Sequence, residues 1–273
     1  MTYLASSCFN FKTLKDLLSY CRQNGFYQLE LGGNLQEGNL NQPDFSFLIH
    51  NYFPAPKEPF VINLASTDED ISQKSLNHCF AAMSLCHSLE IPFYSVHAGF
   101  LVNLRPNDLG AAQTHRPRID RATGLKNFTD AINQLLETNT IDLLIENNVN
   151  SRENLVNGKN ELYLLAEPEE TLSFFKQINH PRLGLLVDLG HLNVSAEQLH
   201  FNKYQYLKKL APWIKAFHLS ANNGLEDQGL SFTNNEWFIE ILKKFPAVPK
   251  IIEINKQNKL ADLLNCLNII NNL

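Results

Sequence analysis

Gly184-Leu-Leu-Val-Asp188-Leu-Gly-His191 decides the reading of this chain. An apolar run stops abruptly on a carboxylate, and an imidazole follows one short turn later. A buried strand has no packing use for Asp at its end; a metal ion or a polar substrate does. Three other apolar runs end the same way: Leu143-Leu-Ile-Glu146, Ala216-Phe-His218 and Ile251-Ile-Glu253.

Working outward from this stretch, apolar strands and amphipathic helices alternate along the whole chain. Strands are expected at Leu4–Phe9, Phe26–Leu31, the latter part of Phe45–Phe53, Phe93–Gly99, Ile141–Glu146, Leu183–Asp188, Trp213–Leu219 and Lys250–Ile254. Helices are expected over Phe11–Asn24, Ile71–Leu89, Ile119–Leu136, from Pro168 to Ile178, Ala196–Leu210, Trp237–Phe245 and Lys259–Asn271. Phe60-Val-Ile-Asn-Leu64 competes for the place of the third strand, although Pro54, Pro56 and Pro59 break up ladder pairing around it. A strand followed by a crossover helix must pair in parallel with the next strand. About eight such units in 273 residues is the size of a single-domain (β/α)8 TIM barrel spanning residues 1–273. A doubly wound open sheet is the alternative, but no Gly-rich GxGxxG turn follows the first strand.

In a parallel barrel all strands open onto one face, and alternate side chains point inward. Counting back, Asp188 shares its side with Leu186, Glu253 with Ile251, His218 with Ala216 and Glu146 with Leu144. Four columns therefore end in Glu, Asp, His and Glu, aimed at one axis. Three carboxylates and a neutral imidazole repel one another unless a cation neutralises them. A set of oxygens with one nitrogen suits Mn, Mg, Co, Zn or Fe. Glu146, Asp188, His218 and Glu253 are thus the expected metal ligands.

Other side chains fall near this face. His97 ends the fourth strand above Ser95, and His50 ends the third; both can join Glu146 at a second metal or bind substrate. His191 is expected at the rim, holding a substrate oxygen. Arg105, in the irregular stretch Phe100–Pro117, is a candidate clamp for an anionic substrate group.

Composition bounds the rest. Hydrophobic residues make up 44% and charged residues 19%, so a large core is available. The formal net charge of −5 argues against nucleic acid as a partner. Five scattered cysteines form no CxxC pair, so neither a disulfide framework nor a thiolate zinc site is expected. The absence of a leader-like N-terminus or a membrane-length apolar run gives a cytoplasmic protein as the expectation. A homo-oligomer is left open.

Taken as a set, Asn63-Leu-Ala-Ser66, Val96-His97-Ala-Gly99, Ile145-Glu146-Asn147, Asp188-Leu-Gly-His191, Phe217-His218-Leu219 and Ile252-Glu253 resemble the xylose isomerase-like barrel superfamily. That superfamily takes in sugar isomerases and epimerases, inosose dehydratases and the endonuclease IV group. Resemblance to the ketose epimerases implies one divalent metal on Glu146, Asp188, His218 and Glu253. Glu146 and Glu253 then also form the acid/base pair, with His191 on a substrate oxygen and a small carbohydrate as substrate. Resemblance to endonuclease IV implies a zinc cluster that also draws on His50, His97 and His191, with Asp227 as a further ligand, and abasic DNA as substrate. The family's Asp-x-His pair is here Asp227-Gln-Gly229, so one ligand of a third metal is missing. In the epimerase reading Asp227 faces substrate instead. A non-catalytic carbohydrate-binding barrel is the third reading.

Overall fold

A computed structural model of the chain describes residues 1–33, 35–108 and 111–273. Eight parallel strands close into a barrel in sequence order: β1 (Thr2–Ala5), β2 (Gln28–Leu31), β3 (Ser46–His50), β4 (Phe93–His97), β5 (Asp142–Glu146), β6 (Leu183–Asp188), β7 (Ile214–Leu219) and β8 (Lys250–Ile252). The barrel closes where Tyr3 of β1 pairs with Ile251 of β8. The open-sheet alternative is thereby excluded. The third strand lies at Ser46–His50, and residues 60–64 form no strand.

The helices that wrap the barrel follow from their sequences. In α1 (Leu14–Asn24), Leu14, Leu17, Leu18 and Cys21 form the buried stripe. The Thr13 side chain caps its start, and Gly25, at φ 75°, turns the chain out of it. Asp68 caps α2 (Glu69–Ser88), and Asp120 caps α3 (Arg121–Thr138). Pro168 opens α4 (Pro168–Ile178), with Glu169 and Glu170 in its positive first turn. Helix α8 (Leu260–Asn271) closes the fold over β1 and β8.

Two expectations are corrected. The single helix over Ala196–Leu210 is two helices, α5 (Leu189–Gln198) and α6 (Lys203–Leu210). Helix α5 begins seven residues early because Asp188, at the end of β6, is also its N-cap. The chain then turns at His200, with φ 58°, and Asn202 caps α6 by accepting from the Tyr204 and Gln205 amides. The segment Trp237–Phe245 keeps only a short α7 (Ile239–Leu242). Among the described residues, no helix is long and apolar enough to cross a membrane.

The barrel interior is plugged below its open face. Leu144, Leu186, Ala216 and Ile251 are all fully buried, two residues beneath Glu146, Asp188, His218 and Glu253. Burying such side chains is the main term favouring the fold, at about 25 cal/mol per Å² of apolar surface. The same plug forces the polar ends upward into a cleft.

Candidate metal centre

The four strand ends meet. Glu146, Asp188, His218 and Glu253 each offer a ligand atom, all within 4.8 Å of one another. Their strands, β5 to β8, are neighbours, and the register places Asp188 beside His218 and His218 beside Ile251. Glu253 stands one residue beyond β8, where its amide donates to the Leu219 carbonyl. Nδ1 of His218 lies 2.7 Å from Glu253 Oε2 and 3.3 Å from Glu146 Oε1. Asp188 Oδ2 is 3.9 Å from the same nitrogen.

Glu146 is the hub. It is buried, its Oε1 faces His218, and its Oε2 lies 3.1 Å from His97 Nδ1 and 3.3 Å from His50 Nε2. His50, His97 and Glu146 thus form a second group that shares a carboxylate with the first. The Asn51 amide donates to His50 Nε2, so His50 carries its proton on Nδ1, which donates to Ser95 Oγ. The same Nε2 lies 3.3 Å from Glu146 Oε2, so its lone pair is shared between the Asn51 amide and the side of the cleft that Glu146 faces.

The electrostatics follow from this crowding. Burial alone pushes Glu146 up, but His97, His218 and His50 outweigh it and hold the carboxyl well below its ordinary range. Burial likewise opposes the charge on Glu253, yet His218 brings it down to about 2. Asp188 goes the other way: burial, reinforced by Glu146 and Asp227, pushes it up to about 7. Burial lowers His97 to about 4, despite Glu146. It works against the charge on His218 too, where Glu30, Glu253 and Glu146 win and raise the imidazole well above its usual value.

The residues fit a divalent cation. His218 Nδ1, His97 Nδ1 and Glu146 Oε2 are buried polar atoms with no in-line hydrogen-bond partner, although carboxylates or imidazoles lie within 2.7–3.3 Å of them. Buried polar atoms are seldom left unpaired. Atoms that approach without hydrogen-bond alignment, from a set of carboxylates and imidazoles, are what a cation-binding cluster presents.

His191 is not at the rim. It sits buried in the first turn of α5, where its ring Nδ1 donates to the Asn147 carbonyl at 3.0 Å and its Nε2 faces Asp227 Oδ2 at 3.3 Å. The early start of α5 draws it inward. Asn147 ties β5 to β6 by accepting from the Asp188 amide at 2.8 Å and donating back to the Asp188 carbonyl.

Arg105 does not reach the centre. Its side chain is 79% exposed and pairs with Asp108, which Arg116 also engages at 2.6 Å. The short turn at Pro106–Asp108 folds the charge back on itself. The Asn63-to-Ser66 motif likewise serves the loop: Asn63 donates to the Phe100 and Val102 carbonyls, and Ser66 to Asn103.

Above the cluster lie two adjoining cavities of about 600 and 670 Å³, which share His97, His191 and Asp227. Glu146, Asp188 and Glu253 line the first, together with Lys12 and Lys256.

One residue of the site is missed by the sequence reading. Glu30, in β2, is buried, and its Oε2 lies 2.9 Å from Nε2 of His218. The signal is present: a carboxylate flanked by Leu29 and Leu31 in a buried parallel strand must point to the opposite side from both.

Residues 14–268 match the family model described as the xylose isomerase-like TIM barrel. The chain belongs to this family. Among curated relatives, a "Probable endonuclease 4" of Aquifex aeolicus is 23% identical over 222 residues, covering 74% of this chain and 70% of that protein. Among solved structures, a D-tagatose 3-epimerase-like protein superposes with a TM-score of 0.69 at 21% identity, covering 99% of this chain and 98% of its own. A Thermus thermophilus protein soaked with ZnCl2 gives a TM-score of 0.63 at 16% identity, over 100% and 98% of the two chains. At these identities the structural likenesses speak to the fold of this xylose isomerase-like barrel, and its chemistry rests on its own residues.

Proposed function

We propose that this barrel is a divalent-metal-dependent isomerase or epimerase of a sugar or sugar phosphate. The observation that carries the reading is the meeting of Glu146 and Glu253 at one imidazole nitrogen, from strands β5 and β8, on the floor of a sugar-sized cleft. The resemblance to a D-tagatose 3-epimerase-like protein supports it.

Glu146, Asp188, His218 and Glu253 would hold the ion. When bound, a divalent ion polarises a carbonyl or hydroxyl oxygen and so acidifies the neighbouring C–H. Glu146 and Glu253 then form the acid/base pair. In the metal-free protein both are ionised at neutral pH, with Glu253 brought down to about 2, so each is ready as a base. One, ionised, removes the proton from the carbon beside the carbonyl; the other, once it has taken up a proton from water, delivers that proton to the same carbon from the opposite face, and the first then loses its proton to water. Return at the adjacent carbon gives aldose–ketose isomerisation instead. The two carboxylates differ in access: Glu253 is 31% exposed to the cleft and Glu146 is sealed at 1%. Glu253 therefore trades its proton with water. The Ser7 hydroxyl donates to Glu253 Oε1 at 2.9 Å and fixes the carboxylate in place. His191 and Asp227, which line both cavities, would bind substrate hydroxyls.

The test is deuterium incorporation into sugar C–H positions, screened over ketoses and sugar phosphates with Mn2+. Metal-dependent exchange at the carbon beside the carbonyl supports the proposal. No exchange across the panel with metal bound contradicts it.

A second reading, a zinc phosphodiesterase acting on abasic DNA, is favoured by one observation: His50, His97 and Glu146 form a second ligand group. Against it, Gly229 stands where a third-site histidine is needed. Its backbone, at φ 58°, packs on Asn255, and a Cβ there would meet the Asn255 nitrogen at 3.0 Å. Nicking of abasic-site DNA separates the two readings.

A further inference from the structure

We infer that Glu30 is a positioning residue that fixes how His218 presents itself to the metal centre. Imidazole has two ring nitrogens, and a metal-binding histidine is oriented by what its second nitrogen contacts. In His218 the two nitrogens face different surroundings. Nδ1 faces Glu253, Glu146 and Asp188, at 2.7, 3.3 and 3.9 Å. Nε2 faces Glu30, at 2.9 Å.

The contact crosses the barrel interior. Glu30 pairs with Ala5 and Leu48 in β2, whereas His218 stands in β7, three strands away around the closed sheet. Both side chains are buried, with relative exposures of 2% and 0%. Among the described residues neither Glu30 Oε1 nor His218 Nε2 has an aligned hydrogen-bond partner, although Nε2 lies 2.9 Å from Oε2. A carboxylate buried in a barrel core is costly unless it meets a counter-charge or a donor. Nε2 of His218, 2.9 Å away, is the group that would serve as that donor.

With its proton committed to Glu30, Nε2 is removed from competition. Nδ1 is left as the lone pair that faces the other three ligands. Glu30 also adds negative charge behind the imidazole, which makes Nδ1 a better donor to a cation. The inference rests on the metal reading above but is independent of which substrate is turned over.

The experiment is titration calorimetry of Mn2+ and Zn2+ into wild type, Glu30→Leu and Glu30→Gln, with circular dichroism to confirm folding. Long-range 15N–1H spectra of the Zn2+-loaded proteins identify the metal-bearing nitrogen of His218. Glu30→Leu, of similar size but without an acceptor, is expected to weaken binding about 10- to 100-fold. Glu30→Gln keeps an oxygen for Nε2–H and is expected to recover most of that loss. The spectra should show Nδ1 on the metal and a proton on Nε2 in wild type and in Glu30→Gln. Wild-type affinity in folded Glu30→Leu overturns the inference, as does Zn2+ on Nε2 in wild type. Should Glu30→Leu fail to fold, the wild-type spectrum decides between the two outcomes alone. Wild-type protein that binds neither ion sinks both this inference and the metal reading. A Glu30 effect on binding without sugar turnover sinks the epimerase reading and leaves this one standing.

Discussion

Asp188 caps the helix that carries His191: its Oδ1 accepts the His191 amide hydrogen at 2.7 Å. Its other oxygen, Oδ2, faces the cluster, 3.9 Å from His218 Nδ1. One carboxylate thus serves the fold with one oxygen and the metal centre with the other, and the two roles can be separated. Asn caps a helix as well as Asp does, whereas Ala loses about 1 kcal/mol. Asp188→Asn should keep the melting temperature of the metal-free protein or raise it, since a carboxyl that burial opposes is gone. It should weaken Mn2+ binding at least about tenfold. Asp188→Ala should lose both stability and metal. Thermal melts with and without Mn2+ read the two effects.

Metal affinity should depend on pH. Asp188 is pushed up to about 7, so it is largely protonated below that pH and must release a proton to a cation. Apparent affinity should fall about tenfold per unit as pH drops below 7, and more steeply because His218 is held protonated as well. For stability the sign is the opposite. A carboxyl raised in the folded protein contributes fully below its unfolded value, about 4, and loses that contribution as pH rises through about 7. The rise in melting temperature on adding Mn2+ should therefore grow from pH 5 to pH 7.5, as differential scanning fluorimetry can show. A metal-induced shift that is flat with pH contradicts this assignment.

Glu253→Gln removes a base and leaves an amide of the same shape. General acid–base groups contribute about 10²- to 10⁴-fold. Deuterium exchange into the sugar should drop by at least about 10²-fold. The melting temperature of the metal-free protein should fall, because the pairing with His218 that holds Glu253 at about 2 is lost, while Ser7 can still donate to the Gln oxygen and keep the side chain in place. Full exchange activity in the variant contradicts the acid/base assignment.

Arg105→Ala should be close to silent. The side chain is exposed, and Asp108 keeps its contact with Arg116. Exposed ion pairs are worth about 0–1 kcal/mol. Stability should change by less than about 0.5 kcal/mol and KM should not move. A several-fold rise in KM would bring Arg105 back as a substrate contact.

Much of this is legible in the sequence, for a physical reason. Strand alternation is a strict period of two, so the phase of Glu146, Asp188, His218 and Glu253 follows from the apolar residues beneath them. Parallel pairing then brings the four ends together without further information. Helix ends are less legible. The start of α5 depends on Asp188 acting as a cap, and a strand-ending Asp looks the same whether it caps a helix or meets water. The expectation of His191 at the rim fails for that reason. The expectation for Arg105 fails because its partner, Asp108, is chosen by a local turn and not by a period. Glu30 obeys the same alternation as the other carboxylates but stands one residue before its strand end, so a polar strand terminus does not reveal it.

The most direct test of the metal centre is an anomalous difference map from crystals grown with Mn2+, recorded near the manganese edge. A single strong peak among Glu146, Asp188, His218 and Glu253 is the predicted result. A peak confined to His50 and His97, or none within reach of these four residues, would contradict it.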